Sequence, residues 1–244
     1  MQTAALRILA LGVYRMTSIR SIAASLLFSA AVFTTAFAQP KPGHIDEVLR
    51  EMDAASAKFK SAEADFRWEL YERVVKQVTT VQTGGIYFVK DGNNTEMGAK
   101  IVEPAPKFLE FRDGTLRIFD PGPDHLTTVS SKQNQAQIEA FLTLGFGGSG
   151  RDLAKMWTIS DLGTEAVGDV ETAKLDLVPK DPSVRNNCTH IIIWVDASRG
   201  VSLKQEFFMP SEDTRTSYYS NIRLNQKIDE KKYAIKTDSK TTKS

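Results

Sequence analysis

The sequence predicts an α+β fold that is mainly antiparallel β, a sheet strongly curved around one amphipathic helix, and three observations carry that expectation. Apolar residues recur at helical spacing near residues 45–59 and again in the middle of the chain. Elsewhere their period is two, cut by turn residues into roughly ten strand-like segments. Those segments follow one another as hairpins, whereas a parallel arrangement would place a helix between successive strands.

The first element is a processing signal. Arg15 and Arg20 precede an uncharged run from Ile22 to Phe37, and Ala36-Phe37-Ala38 forms a small-x-small cleavage site. Residues 1–38 therefore read as a signal peptide, with Met16 as an alternative start and Gln39 as the first mature residue. The run is short for a membrane helix, which needs ~20 residues to cross ~30 Å. Removing residues 1–38 leaves 206 residues with 28 Lys and Arg against 30 Asp and Glu, a net charge of −2. A near-neutral chain lacks the basic footprint of a nucleic-acid binder. Its size suits one domain, expected over residues 39–236.

In HIDEVLREMDAASAKFK, Ile45, Val48, Leu49, Met52 and Phe59 form one helical stripe with charge opposite. From Ala64 the period changes, and Phe66, Trp68 and Leu70 alternate with Asp65, Arg67 and Glu69. TTVQTGGIYFVKDGNNTEMGAKIVE predicts two or three strands around the turn cluster Lys90 to Asn94. KFLEFRDGTLRIFDP predicts a hairpin about Asp113-Gly114, ended by Pro121-Gly122-Pro123, and HLTTVSS a further strand. QNQAQIEAFLTL then gathers Ile138, Phe141, Leu142 and Leu144 on one helical side, and RDLAKMW predicts a second short helix. Two more strand pairs turn about Val167 to Asp169 and Asp196 to Gly200, and SYYSNIRLNQKI supplies a last strand. The polar residues 237–244 are expected to be a flexible tail.

Chemical motifs are few. Gly145-Phe146-Gly147-Gly148-Ser149-Gly150 satisfies the spacing of a dinucleotide fingerprint, and Arg151 and Asp152 stand where a phosphate loop wants Lys and Ser or Thr. A helical segment precedes it, whereas the fingerprint needs a strand, so no nucleotide is expected there. Glycines tolerate positive φ at an entropic cost, which suggests a flexible joint. His44, His125 and His190 are too far apart in sequence to suggest a metal site. Glu63, Asp65 and Glu69 share a strand face and suit solvated edges better than acid/base work. No catalytic residue, metal or cofactor is expected, and the chain is not expected to be an enzyme. The single cysteine, Cys188, fits a buried small apolar residue.

RDGTLRIFDP from Arg112 to Pro121 carries a family resemblance, with support from GGIYFVKDG, Pro104 to Phe108 and IIIWVDASRGVSLKQEFF. Together with the order of elements they make the chain similar to the LolA-type periplasmic carriers of outer-membrane lipoproteins, as a divergent member. The resemblance implies an incomplete, unclosed β-barrel wrapped around the helix, with a helical lid inserted near 133–157. It implies a periplasmic carrier or chaperone that binds acyl chains of lipoproteins or lipids for transfer to the outer membrane. Partners would be an inner-membrane donor and an outer-membrane acceptor complex, with no nucleic acid or nucleotide, and the protein would act as a monomer. The cavity would be lined by Phe66, Trp68, Leu70, Phe88, Met97, Phe108, Phe111, Ile192 and Trp194. Ile138, Phe141, Leu142 and Leu144 would form the lid, with Gly145, Gly147, Gly148 and Gly150 as its hinge. Classical carriers place an arginine before a strand-opening proline to lock the lid. Here Glu103 and Ala105 precede Pro104 and Pro106, so that lock is not carried over. The alternative is an envelope-stress regulator or lipid-sensing interaction protein built on the same half-barrel.

Overall fold

The computed structural model describes residues 44–91, 94–130 and 144–244. The expected signal peptide and three expected lid residues, Ile138, Phe141 and Leu142, lie outside those ranges. Helix α1 spans His44–Lys58, with Asp46 and Glu47 in its first turn and Lys58 in its last, the polarity its dipole favours. It buries Val48, Met52 and Ser56, spaced by four so that they share one face.

Twelve strands form one sheet. They are β1 (Ser61–Glu72), β2 (Gln77–Asp91), β3 (Asn94–Glu103), β4 (Lys107–Arg112), β5 (Thr115–Asp120), β6 (His125–Ser130), β7 (Trp157–Val167), β8 (Val170–Pro179), β9 (His190–Asp196), β10 (Val201–Phe208), β11 (Thr214–Leu224) and β12 (Thr242–Lys243). Their order is β12-β6-β5-β4-β3-β2-β1-β11-β10-β9-β8-β7. The sheet thus has two halves that meander outward from its middle: β1 to β6 one way, and β11 back to β7 the other. The terminal strands β12 and β7 do not pair with each other, so the sheet is an unclosed half-barrel. The face that carries α1 is its inner face.

Local sequence accounts for much of this. Asp113 and Gly114 both take positive φ, 50° and 67°, as a two-residue hairpin of the primed type requires between β4 and β5. Gly168 and Gly200 supply positive φ at the β7–β8 and β9–β10 turns. At the far end of β11, Asn225 accepts from the backbone N–H of Lys60 at 2.7 Å and donates from Nδ2 to the Lys58 carbonyl at 3.2 Å. This ties the α1–β1 junction to the opposite half of the sheet.

Strands β6 and β7 lie at opposite sides of the sheet. Residues 144–149 run beside the start of β10 on the inner face and lead into α2 (Gly150–Met156), whose first turn is capped by the Ser149 hydroxyl accepting from Asp152 N–H at 3.0 Å. A short helix, α3 (Pro182–Arg185), between β8 and β9 has no counterpart in the sequence reading.

Residues 237–244, expected to be a flexible tail, include a short strand. Thr242 and Lys243 form β12, parallel to β6 at His125 and Leu126, and Thr128 N–H donates to the Ser244 carbonyl at 2.8 Å. An otherwise open edge strand presents unpaired backbone groups, and polar composition does not stop a tail from satisfying them. On the outer face the tail is fastened by Tyr233, whose hydroxyl donates to Glu63 at 2.7 Å; Arg223 meets the same carboxylate at 2.9 Å.

Candidate ligand-binding face

Antiparallel register places directly opposed residues on the same face. On the inner face of the N-terminal half this produces an unbroken apolar row, Val129–Leu116–Phe111–Met97–Phe88–Ala62, across β6 to β1. Beside it run Ile118, Leu109, Ala99, Ile86 and Ala64. Phe66 lies over Gly84, where an added Cβ would stand 2.9 Å from the Phe66 ring, and stacks on Trp68 at 3.9 Å between centroids. These residues belong to one buried cluster, and none of its described members comes from a helix.

The C-terminal half has a different cover. Val48 and Met52 of α1 and Leu153 of α2 pack on Ala173, Leu175, Leu177, Ile191, Ile193 and Val195. Leu175, Leu177, Ile191 and Ile193 are fully buried. His44 at the start of α1 hydrogen-bonds Asp161 of β7 at 2.7 Å, which fixes the helix end to the outermost strand of that half.

The glycine-rich segment joins the two. Leu144 belongs to the helix-covered cluster and Phe146 to the other. The Phe146 ring stacks on Phe88 at 4.7 Å and meets Tyr219 edge-on at 5.0 Å. Its backbone bridges Val201, while the Gly145 carbonyl accepts from Ser202 N–H at 2.8 Å and the Gly147 carbonyl from the Ser56 hydroxyl at 2.7 Å. A side chain at Gly145 would strike Gln205, at Gly147 (φ +75°) the Phe59 ring, and at Gly150 the backbone of Leu49. In this structure, therefore, Gly145, Gly147 and Gly150 permit close approach within a packed seat, whereas the sequence reading made them a joint. The helix and Phe59 supply the close neighbours, and neither was visible from the run itself.

The register also sorts the expected cavity residues. Phe66, Trp68, Leu70, Phe88, Met97 and Phe111 share the inner face. Phe108, Ile192 and Trp194 fall on the outer face. Phe108 pairs with Lys100 and Phe119, and Ile192 with Glu206 and Asp176. Trp194 is buried under the ammonium groups of Lys174 and Lys204, 4.8 and 4.1 Å from its ring centroid. Their inner-face neighbours are Leu109, Ile191 and Ile193. A one-residue shift in phase moves a side chain to the opposite face, and the IIIWV run offers no polar alternation to fix it.

Sequence reasoning missed Phe146, although an aromatic flanked by glycines is the signal of a ring seated where backbones come close. It also missed a polar strip on β11, where Arg215, Ser217 and Tyr219 share the inner face with Gln205 of β10. Cys188 is buried, and burial pushes its thiol up to about 12, so it is a packing residue in its thiol form at neutral pH. Among the described residues no cluster of His, Cys, Asp and Glu could hold a metal ion.

No family model and no curated protein sequence matches this chain. Solved structures do resemble it. An uncharacterized conserved protein from Thermus thermophilus is 7% identical with a TM-score of 0.51, the match covering 82% of this chain and 97% of that one. A chain of the Pseudomonas aeruginosa MucA/MucB complex is 13% identical with a TM-score of 0.49, over 79% of this chain and 61% of that one. A LolA superfamily protein from Nitrosomonas europaea is 15% identical with a TM-score of 0.37, over 78% and 97%. These are likenesses of fold, and the unclosed half-barrel expected from the LolA-type resemblance is the architecture this chain adopts.

Proposed function

We propose that the inner face of the N-terminal half binds acyl chains, and that the protein is a non-enzymatic periplasmic carrier or chaperone of lipidated proteins or lipids. One observation carries the reading. Across β1 to β6 the inner face is a continuous apolar surface to which no described helix contributes, although α1 and α2 of the same molecule seal the other half. The LolA-type sequence resemblance and the signal-peptide pattern support export and a lipid cargo.

Energetics limit how the cargo is held. Each buried methylene contributes about 0.8 kcal/mol. Non-covalent affinity saturates near ~20 kcal/mol, so burial of more than about 25 methylenes at full strength would exceed it. A carrier that also releases its cargo therefore buries acyl chains in part.

The test uses the chain expressed with its own N-terminus in a periplasm and purified without detergent. Native mass spectrometry should show co-purifying lipid or lipoprotein. A brominated acyl chain should quench Trp68 fluorescence in a Trp157→Phe, Trp194→Phe background. Repeated recovery of empty protein together with no quenching would refute acyl-chain binding.

A further inference from the structure

β11 lies at the seam of the sheet, with β1 of one half on its left and β10 of the other on its right. Arg215 pairs with Leu70 of β1 and Phe207 of β10, so its side chain leaves the same face as Trp68 and Phe66. Phe207 packs on the helix-covered cluster and Trp68 on the other, which sets the guanidinium between two apolar surfaces. Arg215 stands one residue inside the start of its strand, beside the rim formed by the β10–β11 turn.

Several other arginines of the molecule meet carboxylates, as Arg112 meets Glu96 and Glu230, Arg223 meets Glu63 and Arg73 meets Glu212, while Arg185 donates to the Pro179 carbonyl. Among the described residues the Arg215 guanidinium has neither a hydrogen bond nor an ion pair. It retains some exposed area yet is surrounded closely enough that burial alone pulls its pKa down to about 10, which leaves it charged at neutral pH. Next along the same face, the Trp68 indole N–H is directed at the Tyr219 hydroxyl. The buried side chains of Ser217 and Gln205 occupy the row between. An enclosed cation is costly unless an anion meets it.

We propose that Arg215 holds the oxyanion head of an anionic amphiphile, a carboxylate or a phosphate, whose acyl chain lies along the apolar rows of β1 to β5. Those rows extend roughly 19 Å at ~4.8 Å per strand step, comparable with the length of a long acyl chain. Guanidinium geometry suits both heads, since it offers parallel N–H groups to two oxygens at once. The inference rests on the acyl-binding reading and narrows it from any acyl chain to one with a charged head.

The test measures binding of three probes of equal chain length to the full chain, and to Arg215→Met and Arg215→Lys: palmitate, hexadecyl phosphate and neutral 1-monopalmitoylglycerol. Wild type should bind at least one anionic probe about tenfold or more tightly than the neutral one. The anion that gains more assigns the head as carboxylate or phosphate. Arg215→Met should abolish the preference while keeping neutral-probe affinity, and should melt no lower than wild type because it removes an uncompensated charge. Arg215→Lys should retain part of the preference, which separates loss of charge from misfolding. Equal binding of all three probes by wild type, or an anion preference that survives in Arg215→Met, overturns this inference and leaves acyl binding standing. Failure of every probe to bind overturns acyl binding itself.

Discussion

The two halves of the sheet are built alike and covered differently. In the C-terminal half, small and branched aliphatics, Ala173, Leu175, Leu177, Ile191 and Ile193, face Val48, Met52 and Leu153 from two helices. In the N-terminal half, Phe66, Phe88, Met97 and Phe111 face the inner side, and the described cover is Phe59 and Phe146. Interdigitated aliphatics under a helix pack to crystal-like density and leave no room for a guest. On the proposed reading the flexible thioether of Met97 lets the other face adapt to an acyl chain. On the proposed acyl-binding reading, one sheet combines a fixed core with an adaptable face, with the polar strip of β11 between them.

The largest effect should come where the halves meet. Phe146→Ala removes a buried ring from Phe88 and Tyr219, and truncations of this kind cost about 3–5 kcal/mol, measurable by urea unfolding. It should also raise affinity for an acyl probe several-fold, since the ring occupies volume over the aromatic rows. Unchanged affinity would break the comparison by making the N-terminal half ordinary core.

A matched pair sharpens it. Leu177→Ala and Met97→Ala should each cost about 2–5 kcal/mol, because both side chains are buried. Per folded molecule, Leu177→Ala should leave probe affinity unchanged and Met97→Ala should lower it about tenfold. Gly150→Ala comes next: its Cβ would press on the Leu49 backbone and push α2 off α1, an overpacking cost of about 1–3 kcal/mol without effect on the probe.

The same contrast explains what was legible in the sequence. The α1 stripe at Val48, Leu49 and Met52 and the alternation Phe66, Trp68, Leu70 each state a period and therefore a face. Asp113-Gly114 states its turn, because its two residues tolerate the positive φ that a short hairpin needs. Where every residue of a strand is apolar, as in Ile191 to Val195, the period vanishes and with it the face. The partner of a glycine is also invisible locally: Gly147 lies 88 residues from Phe59 and Gly150 lies 101 from Leu49. Arg215 sits in a run of polar residues that reads as solvated until the register turns it inward. The β12 pairing depends on an edge more than 110 residues upstream.

The smallest effect tests whether the outer face matters to either half. Glu63 of β1 is buried, which alone would raise its pKa, but hydrogen bonds from Tyr233 and Arg223 outweigh that and hold it below its usual value of 4.5. A carboxylate depressed in the folded state contributes stability that is fully present above the unfolded value. That contribution is lost as pH falls through the lower, folded value. Tyr233→Phe removes one of the two bonds and should cost about 1 kcal/mol at pH 7. Its Glu63 pKa should return toward the ordinary range, so the difference in stability from wild type should shrink below about pH 4 as both proteins protonate. Acyl-probe affinity should not change, because the ring lies against Tyr87 and Gly85 on the far side of the sheet from Phe66. A pH-independent difference would mean that Tyr233 stabilises by packing alone. A change in probe affinity would mean that the tail on the outer face controls the shape of the inner one.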